Sequence, residues 1–175
     1  MLQPDSNWRW YYDHQHDRLA LLLGDMLFLT PYRTKHLAYT VSGEESFDLQ
    51  DLEVYSQIAN QLEHCCLPLS AAQQTQLAIN VCAVQRFHKP LMPKSWFFTR
   101  NETGGHHHRL AWLSTAEHRA KVWVVEDNHS SCLCLLLDDQ LPLGTGKAMG
   151  QFEAIRVMPD CLEPCFEQQP LRKLA

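Results

Sequence analysis

The spacing of apolar residues predicts that the chain begins with short strands. Segment 8–12 is rich in aromatic residues and suits a strand. Its alternating, inward-facing positions are Trp8, Trp10 and Tyr12. Segments 19–23 and 26–29 are joined by Gly24-Asp25, a two-residue hairpin signal. Both arms of this hairpin are apolar on both faces, so it is either covered on both sides or open on one side to a groove that a partner fills.

A helical period replaces the alternating pattern after residue 48. Between residues 49 and 62 apolar side chains recur at helical spacing. The predicted inner stripe consists of Leu49, Leu52, Tyr55, Ala59 and Leu62. A second helix is expected to begin at Ser70, because Ser70 and Gln73 form a capping-box pattern, and to end before Pro90. Its predicted inner stripe consists of Leu77, Val81, Val84 and His88.

The second half of the chain has the pattern of an all-β structure. Segments 122–125 and 131–137 flank residues 127–130 (DNHS), whose composition is typical of a turn, and this pattern predicts a hairpin. Further strands are expected at 147–152 and 153–158, after the glycine-containing turn at 144–146. No helical period of useful length follows Pro93, so a small β-sandwich or barrel is predicted. The tail from Pro159 onwards, which contains Pro164 and Pro170, is expected to be irregular.

These patterns together predict an α+β protein in two parts. Residues 1–98 form an N-terminal α/β domain with two main helices and short strands. Residues 99–175 form a smaller all-β domain. The total length of 175 residues is sufficient for one domain or two small ones with a real hydrophobic core.

Composition and charge narrow the possible functions. The formal net charge of −5 argues against a dedicated nucleic-acid binder. The N-terminal sequence lacks the basic and apolar regions of a signal peptide, and the longest apolar runs are too short to cross a bilayer. The seven cysteines are an odd number and do not resemble a disulfide framework. We therefore expect a cytoplasmic protein with reduced thiols and no membrane contact.

Candidate catalytic and metal sites are weak. His106, His107 and His108 follow two glycines, but consecutive imidazoles rarely converge on one ion, so a solvated loop is preferred to a zinc site. Cys132 and Cys134 share one face of a predicted strand and are expected to be buried rather than to bind zinc with Cys161 and Cys165. The chain has no nucleophile elbow, phosphate loop or dinucleotide fingerprint. We expect no enzyme activity, metal, cofactor or small-molecule substrate.

The distribution of charge points instead to a binding surface. No acidic residue lies between Glu63 and Glu102. The cations in that stretch are Arg86, Lys89, Lys94 and Arg100. They neighbour Trp96 in a segment stiffened by prolines, a combination suited to an acidic partner. The alternatives are that the lysines are merely solvated and Trp96 is a core residue, or that the patch belongs to a small RNA-binding module.

Two cassettes make the chain resemble a known family. These are residues 5–13 (DSNWRWYYD) and residues 89–96 (KPLMPKSW), and the similarity continues through segments 16–18, 122–136 and 146–158. In these segments the chain resembles the ZapC family of Z-ring-associated cell-division proteins of gammaproteobacteria. The histidine run at 106–108 is not part of this resemblance, so no role is carried over to it.

The resemblance implies a monomeric, cytoplasmic, non-enzymatic adaptor. Members of the family bind FtsZ directly, favour lateral bundling of its protofilaments, lower its GTP turnover and reach midcell early. The resemblance also implies an N-terminal α/β domain followed by a twisted, β-barrel-like domain. The cations that lie within the matching segment 89–96 are the predicted partner-binding residues. Lys89 and Lys94 are expected to contact the acidic FtsZ polymer.

An apolar groove is expected beside this basic patch and would supply most of the residence time of the complex. Its predicted lining is Leu22, Met26, Phe28 and Trp96. Bundling by a monomer requires a second FtsZ contact, self-association, or relief of charge repulsion between filaments. The residues do not choose among these three routes.

Overall fold

The computed structural model describes residues 1–65 and 67–166. The first part contains an antiparallel sheet with two helices packed on one face. Its elements are β1 (Arg9–Asp13), β2 (Arg18–Leu23), β3 (Met26–Leu29), β4 (Glu44–Ser46), α1 (Leu49–His64) and α2 (Ala71–Phe87). The strands are ordered β3-β2-β1-β4.

The second part contains only strands and short 3-10 turns within the described residues. Its strands are β5 (Leu110–Ser114), β6 (Arg119–Asp127), β7 (Cys132–Leu136), β8 (Gln140–Gly144), β9 (Lys147–Gly150), β10 (Ala154–Val157) and β11 (Leu162–Pro164). Five of them form a sheet in the order β10-β7-β6-β5-β11, and β8 pairs with β9 in a separate hairpin. The expected α+β class is therefore confirmed. The five-stranded sheet is open in the described chain, since its edge strands β10 and β11 do not pair with each other, whereas the resemblance implied a barrel-like domain.

The predicted N-terminal hairpin is confirmed. Strands β2 and β3 are paired from Leu23–Met26 to Ala20–Leu29, and Gly24 takes up the left-handed conformation that the turn requires, with φ of +66°. On the inner face Leu19 and Leu21 are completely buried, while Met26 at the tip is 53% exposed. The hairpin is thus covered at its base and open towards its tip.

Helix α1 forms where it was predicted but presents a different face to the core. Its buried residues are Asp51, Tyr55, Ile58 and Leu62. Leu49 is 83% exposed and Leu52 also faces outward, so the prediction that these two residues face the core was wrong. The helix is rotated because the Asp51 carboxylate is drawn inward to the side chains of Trp10 and Arg86.

Helix α2 matches its predicted start and inner residues. Ser70 caps its N-terminus, with its hydroxyl accepting from the Gln73 backbone N–H while the Gln73 side chain accepts from the Ser70 N–H. Residues buried along α2 include Leu77, Val81 and Val84. The helix ends at Phe87, and His88 at its C-cap is only partly buried.

One apolar core extends across both parts of the molecule. It joins the aromatic face of β1 and helix α2 to side chains of the second part, among them Leu110, Trp123, Leu135 and Phe152. A buried hydrogen bond from the Tyr32 hydroxyl to the Phe152 carbonyl oxygen, 2.7 Å long, also crosses between them. A second cluster lies within the β-rich part and contains Cys132, Cys134 and Cys161. The boundary near residue 98 stays a prediction.

The segment after Pro159 is more regular than predicted. Pro159–Cys161 forms a 3-10 turn, and Leu162–Pro164 is strand β11, which pairs with β5. The expectation of an irregular tail was therefore wrong for residues 159–164, because the edge of β5 supplies backbone partners that the local sequence does not announce. Pro170 lies outside the described residues. Of the helices described, neither is both long and apolar enough to cross a membrane.

Candidate protein-binding surface

The segment that follows α2 crosses from one part of the molecule to the other. His88 forms a bridge with Leu37, which fixes the start of the segment against the first part. Further on, the Lys94 backbone N–H donates to the Arg156 carbonyl oxygen at 2.8 Å, and the Met158 N–H donates to the Ser95 hydroxyl at 2.9 Å. The segment is therefore anchored at both ends and forms one wall of a groove between the two parts.

We call this feature the cationic groove. It is a cavity of ≈ 610 Å³. Its charged and imidazole side chains are Lys35, His36, His88, Lys94, Lys147, Glu153 and Arg156. Its aliphatic lining includes Leu91, Met92, Leu143, Met149 and Ile155. Cationic and apolar groups therefore alternate within one concave surface, the arrangement expected where a protein partner is bound.

Most of the positive charge in the groove is available to a ligand. Among the described residues no carboxylate pairs with the ammonium groups of Lys35, Lys94 or Lys147. Arg156 is partly neutralised, since it donates to Glu126 at 2.8 Å and to the Ser131 hydroxyl at 3.1 Å. The single carboxylate in the lining, Glu153, accepts from the Gly150 N–H at 3.1 Å. The groove is thus a region of positive potential on a chain of net charge −5.

Two imidazoles lie stacked in this groove. The rings of His36 and His88 have centroids 5.9 Å apart and planes 7° from parallel. Burial lowers the pKa of both rings, and for His36 the proximity of His88 lowers it further. The pair is therefore held towards the neutral form while the groove is empty.

The four cations singled out in the sequence have different surroundings. Arg86 turns into the first part, where it pairs with Glu45 at 2.7 Å and with Asp48 and Asp51. Arg100 pairs with Asp160. Both guanidinium groups are therefore engaged within the fold and add little to a partner surface. Lys94 lines the cationic groove, while the Lys89 ammonium donates to the Lys35 carbonyl oxygen at 3.1 Å beside it.

The groove also contains cations that the sequence analysis missed. Lys35 follows β3, Lys147 begins β9, and Arg156 lies in β10. They are far apart in the chain, and no local pattern links them to Lys94. Only the packing of the second part against the first brings them together.

Trp96 is exposed next to this groove. Its side chain is 72% accessible and its ring contacts Phe97, with centroids 5.5 Å apart. Met92, on the same segment, is 80% accessible. The alternative interpretation of Trp96 as a core residue was therefore wrong. Two large apolar side chains lie beside Lys94 with no covering element in the described chain.

A second concave surface, the apolar cleft, lies between the hairpin tip and α2. It is a cavity of ≈ 430 Å³. Its lining includes Met1, Leu2, Leu23, Met26, Phe28, Ala72 and Ile79. Met26 and Phe28 thus lie together as predicted residues of a groove. Leu22 is not part of the lining, although its cross-strand partner Leu27 is, and Trp96 lies beside the cationic groove instead.

The histidine run does not form a recognisable metal centre in the described chain. The His106 Nε2 lies 3.3 Å from Asp127, and the rings of His107 and His108 contact each other with centroids 4.1 Å apart. No group of three potential ligands in residues 1–65 and 67–166 has a geometry suited to a metal ion. Burial raises the pKa of the Cys132 thiol to about 12, which disfavours the thiolate that a metal would require.

Both parts of the chain are similar to known cell-division proteins. Residues 1–89 match the family model described as "Cell-division protein ZapC, N-terminal". Residues 90–168 match "Cell-division protein ZapC, C-terminal". The two matches are consecutive and cover nearly the whole chain.

Similar proteins from several bacteria carry the same description, "Cell division protein ZapC". The protein from Ferrimonas balearica is 39% identical over 170 residues, which cover 94% of this chain and 93% of the relative. The Pseudoalteromonas atlantica protein is 35% identical and covered completely, as is this chain. The Aeromonas hydrophila protein is 36% identical, with 93% of this chain and 92% of the relative covered. These similarities give no support to the RNA-binding alternative.

Proposed function

The chain belongs to the ZapC family of cell-division proteins, and from that membership we propose that it is a non-enzymatic adaptor that binds the FtsZ polymer directly. In this proposal it acts as a monomer in the cytoplasm at the midcell division site. It favours lateral bundling of FtsZ protofilaments and lowers their GTP turnover. It uses no cofactor or metal for this role.

The observation that carries the proposal is the cationic groove on an otherwise acidic protein. FtsZ is proposed as an acidic partner, and a local positive surface would steer it into contact despite the net charge of −5. Lys94 within the groove and Lys89 beside it are the cations that we assign to this contact. Because exposed charges are screened by salt, the association is expected to weaken as ionic strength rises.

Apolar anchors are needed to hold a partner that charge has attracted. Trp96 and Met92 are exposed beside Lys94, and large exposed side chains of this kind often dominate the free energy of binding. Met26 and Phe28 in the apolar cleft offer a separate contact, and the cleft shares no lining residue with the groove. We propose that these two surfaces contact neighbouring protofilaments, which would allow one monomer to bridge them. Leu22, the cross-strand partner of Leu27 in the cleft lining, is assigned to the rim of this second contact.

Co-sedimentation with FtsZ, with and without GTP, tests the proposal. The wild-type protein is expected to pellet only when polymer forms and to enlarge the pellet. Lys94→Glu, Lys89→Glu and Trp96→Ala should each reduce co-sedimentation by about three- to tenfold at low salt, with unchanged thermal stability. Arg119→Glu is a control with the same change of charge, because Arg119 lies outside the groove. Its guanidinium pairs with Glu163 of β11 at 3.2 Å and lies over the Trp112 ring at 4.1 Å, so its thermal stability is measured alongside.

Two results would contradict different parts of this proposal. If FtsZ pellets alone with the wild-type protein under every condition, direct binding to FtsZ is wrong. If the wild-type protein co-sediments and the three groove variants do so equally well, FtsZ binding stands but its assignment to this surface is wrong.

Met26→Glu should preserve binding to single filaments and reduce bundling, as seen by light scattering and electron microscopy.

A further inference from the structure

The two stacked imidazoles of the cationic groove differ in their capacity to accept a proton. The His88 Nδ1 lies 2.8 Å from the Lys89 carbonyl oxygen, which can only accept, so Nδ1 carries the hydrogen. Its Nε2 therefore holds the free electron pair, and no described residue is hydrogen-bonded to it. Protonation at this atom breaks no existing bond.

His36 has the opposite arrangement. Its Nδ1 accepts from the Arg33 backbone N–H at 3.2 Å, so the hydrogen of the neutral ring is on Nε2. Adding a proton at Nδ1 would place two N–H groups against each other and remove the bond that caps the short 3-10 turn Thr34–His36. His88 is consequently the member of the pair that can gain charge within the existing structure.

The charged groups around the pair oppose that gain while the groove is empty. They are Arg18 of β2, Arg33 and Lys35 at the 3-10 turn that contains His36, Lys89 and Lys94 of the segment that follows α2, Lys147 of β9, and Glu153 and Arg156 at β10. Only Glu153 is negative, and its carboxylate is engaged with the Gly150 N–H. A carboxylate entering the groove would reverse this balance and stabilise an imidazolium at His88.

The lining indicates which kind of anion fits. Aliphatic side chains, including Leu91, Leu143 and Ile155, lie between the cations, and this favours a ligand that alternates acidic with apolar groups. A nucleic-acid strand is disfavoured, because sites for single strands combine a uniformly basic channel with a row of aromatic stacking surfaces, whereas this lining is largely aliphatic between its cations. Both imidazoles line this concave surface, which suits an extended segment better than a flat protein face.

We propose that the cationic groove binds an extended, carboxylate-bearing segment of a protein partner, and that His88 takes up one proton from solvent as a carboxylate of that segment enters. The inference rests on the proposed function, since it specifies how the acidic partner is bound. The added proton resides on Nε2, which then donates to the carboxylate. Lys35, Lys94 and Lys147 supply the remaining positive charge.

Proton uptake fixes the sign of the pH dependence. The pKa of His88 is low in the empty groove and is raised by the bound carboxylate. Affinity must therefore increase as pH falls through the interval between these two pKa values, by at most about tenfold per pH unit for one proton. Below that interval His88 is charged in both states and the dependence disappears.

Fluorescence anisotropy with a labelled 12-residue peptide of alternating Glu and Leu tests the inference. At low salt the wild-type protein should bind the peptide about three- to tenfold more tightly at pH 6 than at pH 8. His88→Gln should abolish this difference. The matched variant His36→Gln should retain it, and Lys94→Gln should weaken binding at both pH values while leaving the ratio unchanged.

Three further measurements on the wild-type protein test the inference even if a variant is unstable. In the wild-type protein, the pKa of His88 measured by NMR should rise when the peptide is added; an unchanged value would overturn the inference. A peptide with Gln in place of Glu should bind weakly and without pH dependence. If labelled oligouridylate binds more tightly than the acidic peptide, the partner class is wrong.

The same variants separate this inference from the proposed function. If His88→Gln and Lys94→Gln co-sediment with FtsZ polymer as the wild-type protein does at both pH values, the groove inference fails while the adaptor function stands. If the peptide binds as described but wild-type protein never co-sediments with FtsZ, the proposed partner is wrong and the groove inference holds.

Discussion

Asp51 is a polar residue at the centre of the N-terminal core. Its carboxylate accepts from the Trp10 indole N–H at 3.0 Å, from the Asp48 backbone N–H at 3.1 Å and from Arg86, and its side chain is 3% exposed. It thereby joins β1, α1 and the end of α2. Apolar periodicity could not identify this role, because a pattern of apolar residues assigns any aspartate to the solvent-exposed face of the helix.

Replacing Asp51 should be far more costly than replacing its neighbour. Asp51→Ala leaves the Trp10 N–H without its buried acceptor and removes one of the three carboxylates that pair with Arg86, and it should lower the free energy of unfolding by about 2–4 kcal/mol. Asp48→Ala removes the N-cap of α1 and a partly exposed ion pair with Arg86 at 3.2 Å, and should cost about 1–1.5 kcal/mol because an exposed pair adds little. Urea denaturation measures both. Equal losses would show that the three-way junction contributes nothing beyond the cap.

Elements with a strong local signal were predicted well, and several short strands were not. The β2–β3 and β6–β7 hairpins and both helices have turn, capping or periodic patterns in the sequence. Strands β4, β5, β8 and β11 were missed. They are three to five residues long and are stabilised by the neighbouring strands with which they pair.

Gly104 allows the loop before β5 to lie against the 3-10 turn that precedes β11. A Cβ at this position would be 2.4 Å from the Pro159 carbonyl oxygen and 2.5 Å from the Asp160 Cα, both backbone atoms that cannot rotate away. Gly104→Ala should therefore destabilise the protein by about 1–3 kcal/mol. Gly150→Ala is the control, because its nearest neighbour is the Glu153 side chain at 3.9 Å, and it should change stability by less than about 0.5 kcal/mol.

Thermal denaturation would measure this difference, and hydrogen exchange would locate it. We expect faster exchange in β11 and the adjoining edge of β5 in Gly104→Ala. Equal melting temperatures for the two glycine variants would mean that the loop can move away from the turn without cost.

The core shared by the two parts determines how the whole molecule unfolds. Side chains of the second part, including Trp123, Leu135 and Phe152, complete the cluster that contains Trp10 and α2. We therefore expect the full chain to unfold in one cooperative transition. A fragment of residues 1–98 should show a poorly dispersed NMR spectrum, because it exposes the apolar surface that the second part covers. A fragment that folds with native dispersion would instead establish residue 98 as an autonomous domain boundary.

Local sequence patterns were sufficient to predict the α+β class, the main hairpins, both helices and the burial of the β1 aromatic face, and the sequence also showed the resemblance to a cell-division family. These features depend on local patterns, namely alternation, helical spacing, capping and turn residues, which persist in any context. The absence of acidic residues from the segment that contains Lys94 and Trp96 also led to the prediction that these residues contact a partner.

Which of these residues lie close together follows from the tertiary structure alone. It paired Arg86 and Arg100 with carboxylates, separated Leu22 and Trp96 from the cleft formed by Met26 and Phe28, and brought Lys35 and Lys147 to Lys94. It also stacked His36 on His88, residues 52 positions apart in the chain. Such combinations depend on long-range packing between elements, and a linear pattern of residue types carries no record of which distant side chains will meet.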